Sequence, residues 1–162
     1  MNTFLPNPAA TQAAPKPVLP PGEARALAEA LRRDFEPFLR PGERFALATE
    51  ADDEYILAQL ILRRADRREQ LTLEAAIEAV DQDEHVRLPE PRDMVRLLMT
   101  FLRAQLYEYF REDRTVRFPL DWTLAMLDHL VIKTRGERTS PLLEAQASAL
   151  LSEQPGDESL EA

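Results

Sequence analysis

From Pro91 onward the apolar positions recur every three to four residues, and past Arg114 they recur every two. Set at roughly 100° per residue, Met94, Leu97, Leu98, Phe101, Leu102, Leu106, Tyr109 and Phe110 fall on one broad side. Arg92, Arg96, Thr100 and Arg103 fall on the other. The spacing predicts an amphipathic helix from Arg92 to about Arg111, with Pro91 in the first turn, where its missing N–H costs nothing. Glu90 and Asp93 suit the positive end of the helix dipole, and Arg111 and Arg114 lie near the negative end. A stripe wider than about 100° implies two packing partners, a sheet and a second helix. Beyond the helix, Val116, Phe118, Leu120 and Trp122 alternate with Thr115, Arg117, Pro119 and Asp121, the period of a half-buried strand. Pro119 cannot donate to a ladder, which makes this strand an edge or interrupts it.

Upstream, Ala24, Leu27, Ala28, Leu31 and Phe35 mark a first helix from Glu23 to about Glu36, ended or kinked by Pro37 and followed by a turn at Pro41-Gly42. Phe45, Leu47 and Thr49 alternate with Arg44, Ala46 and Ala48, a short strand. Tyr55 to Leu62 is apolar almost throughout. A helix there would be apolar all round, so a central strand accounts for it better. Leu71, Leu73, Ala75, Ile77 and Ala79 alternate with Gln70, Thr72, Glu74, Ala76 and Glu78, which reads as a strand with one wet face. A helix competes here, because Leu73, Ala76, Ile77 and Val80 also fit its spacing and Ala and Glu favour it. Ala65 to Glu69, moreover, holds no Gly or Asn for a tight hairpin. The strand is preferred.

Downstream, Leu130, Val131 and Ile132 suggest a last strand after a turn at Asp128-His129, with Gly136 at its end. Ser140 then has the chemistry of an N-cap and Pro141 that of a first helical residue. Leu142, Leu143, Gln146, Ala149 and Leu150 give a short final helix. The predicted order is α-β-β-β-α-β-β-α, an α+β domain with an antiparallel sheet packed against a long central helix. An all-α bundle is the alternative.

Composition adds the boundaries. Residues 1–21, with Pro6, Pro8, Pro15, Pro17, Pro20 and Pro21 among small polar residues, read as a disordered Pro/Ala-rich tail. Residues 153–162 read as a disordered acidic tail, which leaves 22–152 as a single domain. A chain of 162 residues is long enough to bury a core. Cysteine is absent, so disulfides and thiolate chemistry are excluded and a cytoplasmic location is expected. No apolar run is long enough to span a bilayer, and no basic start followed by an apolar stretch signals secretion. The formal net charge of −9 argues against nucleic-acid binding, which needs a basic face. It fits a basic protein partner or plain solubility.

Candidate chemistry is sparse. Asp81-Gln82-Asp83-Glu84-His85 begins like a calcium loop, but Val86 stands where its Gly belongs and Arg92 where its bidentate Glu belongs. His129 is the other histidine, beside Asp128, and Ser140, Ser148, Ser152 and Ser159 lie outside any nucleophile pattern. The four glycines are too scattered to cradle a phosphate. No catalytic residue, metal ligand or cofactor is expected.

The binding candidates are Arg92, Arg96 and Arg103 on the polar side of the central helix, extended by Arg111, Arg114 and Arg117. Guanidinium groups suit acidic partners. The competing reading pairs them within the chain, with Asp93, Glu108, Glu112, Asp113 or the acidic tail. Trp122 is the last candidate, as an interface residue or as a core anchor.

The order of elements, with the acidic balance and the small size, is similar to the fold of type III secretion chaperones and their relatives. The likeness is one of layout and no motif residue carries it. The function expected is a non-enzymatic protein-binding module, such as an adaptor, chaperone-like protein or assembly factor. Its partner would be another protein or a second copy in a homodimer, with neither nucleic acid nor membrane involved. An enzyme or small-ligand-binding domain, its site assembled from scattered residues, is the alternative.

Overall fold

The computed structural model describes residues 14–65, 70–79, 88–114, 122–127, 130–134 and 140–152. Helix α1 (Pro21–Asp34) starts with a proline at its first position and gives way to a 3₁₀ turn at Glu36–Phe38. Pro37 enforces this ending, because it has no N–H to continue the α-helical hydrogen-bond ladder. Gly42 turns the chain with φ at 86°, a left-handed value that suits glycine. Strands β1 (Arg44–Ala51), β2 (Tyr55–Arg63) and β3 (Gln70–Ala79) follow, then the long helix α2 (Pro91–Arg111). Strands β4 (Trp122–Leu127) and β5 (Leu130–Thr134) and helix α3 (Pro141–Ser152) complete the order. This is the predicted α-β-β-β-α-β-β-α arrangement, and the all-α alternative falls.

The strands form one sheet in the order β1-β2-β3-β5-β4, every neighbouring pair antiparallel. Register sorts the side chains between its two faces. Phe45, Leu62 and Leu71 lie opposite one another, as do Leu47, Leu60 and Leu73, and Ile56, Ile77 and Ile132. These rows face the main core, which α1 enters with Ala24, Ala28 and Leu31 and α2 with Val95, Leu98, Leu102 and Leu106. Helix α1 packs on β1, and α2 packs on β2 and β3. Each fully buried Leu or Ile in such a core stabilises by about 1.5–3 kcal/mol. On the second face Ala48, Leu57 and Ala76 meet Leu143 of α3, which lies against β1. Strand β2 is thus interior and covered on both faces, which is why its sequence shows no alternation.

Three expectations change, and a fourth falls largely outside the described residues. Residues 70–79 form a strand whose expected wet face is only partly wet: Gln70 is exposed and Thr72 and Glu78 are half-buried, but Glu74 and Ala76 are buried beside β2, where Gln59 donates to the Glu74 carboxylate. The strand predicted over Thr115–Trp122 lies, except for Trp122, outside the described residues. The observed β4 starts at Trp122 and runs on through Thr123–Leu127, whose nearly continuous apolar run shows no period of two. The buried stripe of α2 is turned relative to the predicted one: Val95, Met99 and Gln105 are buried, while Leu97 and Phe101 are half-buried.

The predicted N-terminal tail is also shorter, since Lys16 to Leu19 belong to the folded unit. Lys16 exchanges two backbone hydrogen bonds with Ala51, of 2.9 and 3.0 Å, and Leu19 is buried. Pro15 and Pro17 lack an N–H, so this pairing stays a single bridge and never grows into a strand. Residues 1–13 and the acidic tail 153–162 lie outside the described residues.

Helix α3 begins as its sequence requires. The Ser140 hydroxyl accepts the Leu143 N–H at 3.2 Å, and Pro141 takes the first helical position. The same hydroxyl donates to Glu50 on β1 at 2.9 Å. Tyr55 donates to the other oxygen of that carboxylate.

Candidate functional site

The two margins of the sheet are treated differently. At β1 the side-chain amide of Gln146 imitates a neighbouring strand: its nitrogen donates to the Thr49 carbonyl at 2.8 Å, and its oxygen accepts the Thr49 N–H at 3.1 Å. Two residues on, Ala51 is paired by Lys16. The Thr49 hydroxyl oxygen accepts the N–H groups of Val18 and Leu19 at 2.9 and 3.2 Å. Opposite, β4 pairs on one side with β5, and among the described residues no strand pairs on its other side. Its register is irregular between Thr123 and Ala125, a disturbance that natural edge strands use to limit pairing. Thr123 is exposed. Trp122 opens this strand opposite Thr134.

The arginine candidates are distributed along α2. Arg92 pairs with Glu23, and Arg103 with Asp34 at 2.6 Å. Both pairs span 69 residues, so α1 and α2 run parallel and are tied at both ends of about three helical turns. Arg111 pairs with Glu108 one turn back. Arg96 is exposed and among the described residues carries no ion pair. Arg117 lies outside the described residues.

Arg114 is the exception among these surface arginines. Two of its nitrogens bond the two Glu43 oxygens at 2.6 Å each, one of them also donates to the Phe38 carbonyl at 2.7 Å, and the guanidinium lies over the Phe110 ring. The Glu43 side chain has no exposed surface, and that of Arg114 keeps 11%. Glu43 also accepts the N–H groups of Arg40 at 2.7 Å and Ala65 at 2.9 Å. Burial pushes the Glu43 carboxyl up, but Arg114 and those two amides outweigh it and hold the carboxyl below its ordinary range. Next to this corner Phe38 stacks on Phe110 at 5.5 Å, and both Phe38 and Tyr107 are exposed.

A cleft of about 470 Å³ opens on the second face, between α3 and strands β2 and β3. Gln59, Ile61, Arg63 and Thr72 are among its floor residues, and Glu144 and Ser148 line its helical wall. Sequence reading missed every one of these residues. Gln59 was the available signal, a lone amide inside an otherwise apolar strand.

Among the described residues, no group of three or more His, Asp or Glu side chains is placed to hold a metal ion. Nor is any described helix long and apolar enough to cross a membrane. His85 and His129 lie outside the described residues. Compared with protein-family models, curated proteins and solved structures, the chain matches none.

Proposed function

We propose that the chain is a non-enzymatic protein-binding module that receives an extended segment of its partner along the outer side of β4. The observation that carries this reading is the asymmetry of the sheet. The β1 margin is engaged by Gln146 and Lys16, whereas β4 is given no neighbour among the described residues. An open edge offers backbone donors and acceptors in register, and strand addition is the binding mode that uses them. The irregularity at Thr123 confines such pairing to part of the strand and weakens indiscriminate edge-to-edge association. The acidic balance of the chain favours a basic partner, and Arg96 offers a local point for an acidic group within it.

A photo-crosslinking residue at Thr123 tests the reading in the source cells. It captures a discrete protein, or a second copy of the chain, whereas the same residue at exposed Glu54, in the turn between β1 and β2, does not. Capture from Glu54 alone would refute the assignment of the edge.

A further inference from the structure

The cleft on the second face carries an inference independent of the β4 edge. Among the described residues Arg63 is its one lining cation, and Glu144 its one lining acid. The Arg63 Nε is sealed from solvent without a hydrogen-bond partner, and no carboxylate pairs with its guanidinium among the described residues. Glu144 is exposed and likewise unpaired among the described residues. Two opposite charges line one cavity and do not meet.

Geometry explains why. Leu143 packs with Leu57, and Gln146 grips Thr49, so the first half of α3 lies toward the Gln59 end of the cleft. Its last turn, with Leu151 and Ser152, then lies toward Arg63. Gln59 and Arg63 are four residues apart on one strand face, about 13 Å. Glu144 and Ser152 are eight apart on the helix, about 12 Å. Between the charged ends the walls are mixed: Gln59 and Thr72 supply polar groups, Ile61 and Ala147 apolar surface, and Ser148 a hydroxyl. The volume falls in the range of small-molecule sites, roughly 300–1,000 Å³.

We propose that this cleft binds a small, elongated zwitterion the length of a short peptide, its carboxylate on Arg63 and its ammonium group toward Glu144. A guanidinium whose Nε is already buried presents its terminal nitrogens as a fixed fork, which fits a planar carboxylate. An extended tripeptide places its two charged ends about 10 Å apart, matching the cleft.

The test uses free trialanine, its C-terminal amide and its N-acetyl form, titrated into the full chain and followed through backbone amide resonances. Free trialanine gives saturable shifts at Gln59, Thr72 and Ser148, and amidation weakens binding roughly tenfold or more, as loss of a charge-assisted hydrogen bond does. In Arg63→Gln the acid and the amide bind alike and weakly. In Glu144→Gln acetylation no longer matters. Absence of saturable shifts, or equal binding of acid and amide to the unaltered chain, overturns the proposal. If Arg63 serves only as a counter-charge to the carbonyl end of α3, Arg63→Gln lowers the thermal midpoint and leaves trialanine binding unchanged, which also overturns it.

Discussion

Arg114 holds Glu43 through two bonds of 2.6 Å across 71 residues of sequence, and it does so from a left-handed backbone. Asp113 and Arg114 have φ of 56° and 65°. Their N–H groups return to the carbonyls of Phe110 and Tyr109, closing the last turn of α2 in the pattern usually built around glycine. Holding a non-glycine residue in this region costs about 1–3 kcal/mol. The fork to Glu43 and the contact over Phe110 offset that cost. They join the end of α2 to the 3₁₀ turn and to the start of β1.

Arg114→Ala therefore leaves a buried carboxylate without its cation and destabilises the fold by about 3–5 kcal/mol in denaturant titration. The pH dependence gives a second readout. The folded Glu43 carboxyl sits below its unfolded value, so its contribution is complete above about pH 4.3 and is lost as the pH falls through the folded value. Arg114→Ala removes the strongest of the lowering influences, so stability in the variant declines less steeply on the acid side. An unchanged acid limb would show that Glu43 does not couple to Arg114.

Gln146→Ala removes both bonds to Thr49, and the exposed backbone then faces water or another chain. Stability falls by about 1–3 kcal/mol, and the Thr49 amide loses its protection in hydrogen exchange. Gln146→Glu restores an acceptor for the Thr49 N–H but sets a carboxylate against the Thr49 carbonyl, so rescue is incomplete.

The segment Lys16–Leu19 distinguishes a docked strap from a tail. Removing residues 1–13 leaves the thermal midpoint nearly unchanged. Removing residues 1–19 lowers it clearly, because Leu19 leaves the core and the Thr49 hydroxyl loses both its donors. Equal midpoints for the two truncations would contradict the docking.

On α2, burial and surface pairing separate cleanly. Leu98→Ala, at a fully buried site in the main core, costs about 2–5 kcal/mol. Arg103→Gln, which breaks a pair that both partners leave partly in water, costs less than about 1 kcal/mol. Similar losses for the two would mean that the ion pairs with α1, rather than the sheet-facing side, hold this helix.

Much of the fold was legible because its periods are local. The spacing of Leu98, Leu102 and Leu106, the apolar run of β2, and the Ser140-Pro141 start of α3 each encode an element within a few residues. What sequence missed depends on contacts between distant residues. Glu74 reads as a wet position until Gln59 and the second layer bury it. Gln146 reads as a polar residue on an apolar helix face until the Thr49 backbone is placed beside it. Arg92 and Arg103 form a row on one helix face, and only the parallel neighbour α1 supplies Glu23 and Asp34. The cleft has no sequence signature because its lining is divided among β2, β3 and α3, and α3 is far from the two strands in the chain.

Amide hydrogen exchange on the chain, free and with its cross-linked partner bound, tests the central claim most directly. In the free chain Thr49 and Ala51 on β1 are protected, and the outward amides of β4 exchange quickly. On binding, exchange slows within residues 122–127 and stays unchanged within 44–51. Slowing confined to 44–51, with 122–127 unaffected, would contradict the assignment of β4 as the receiving edge.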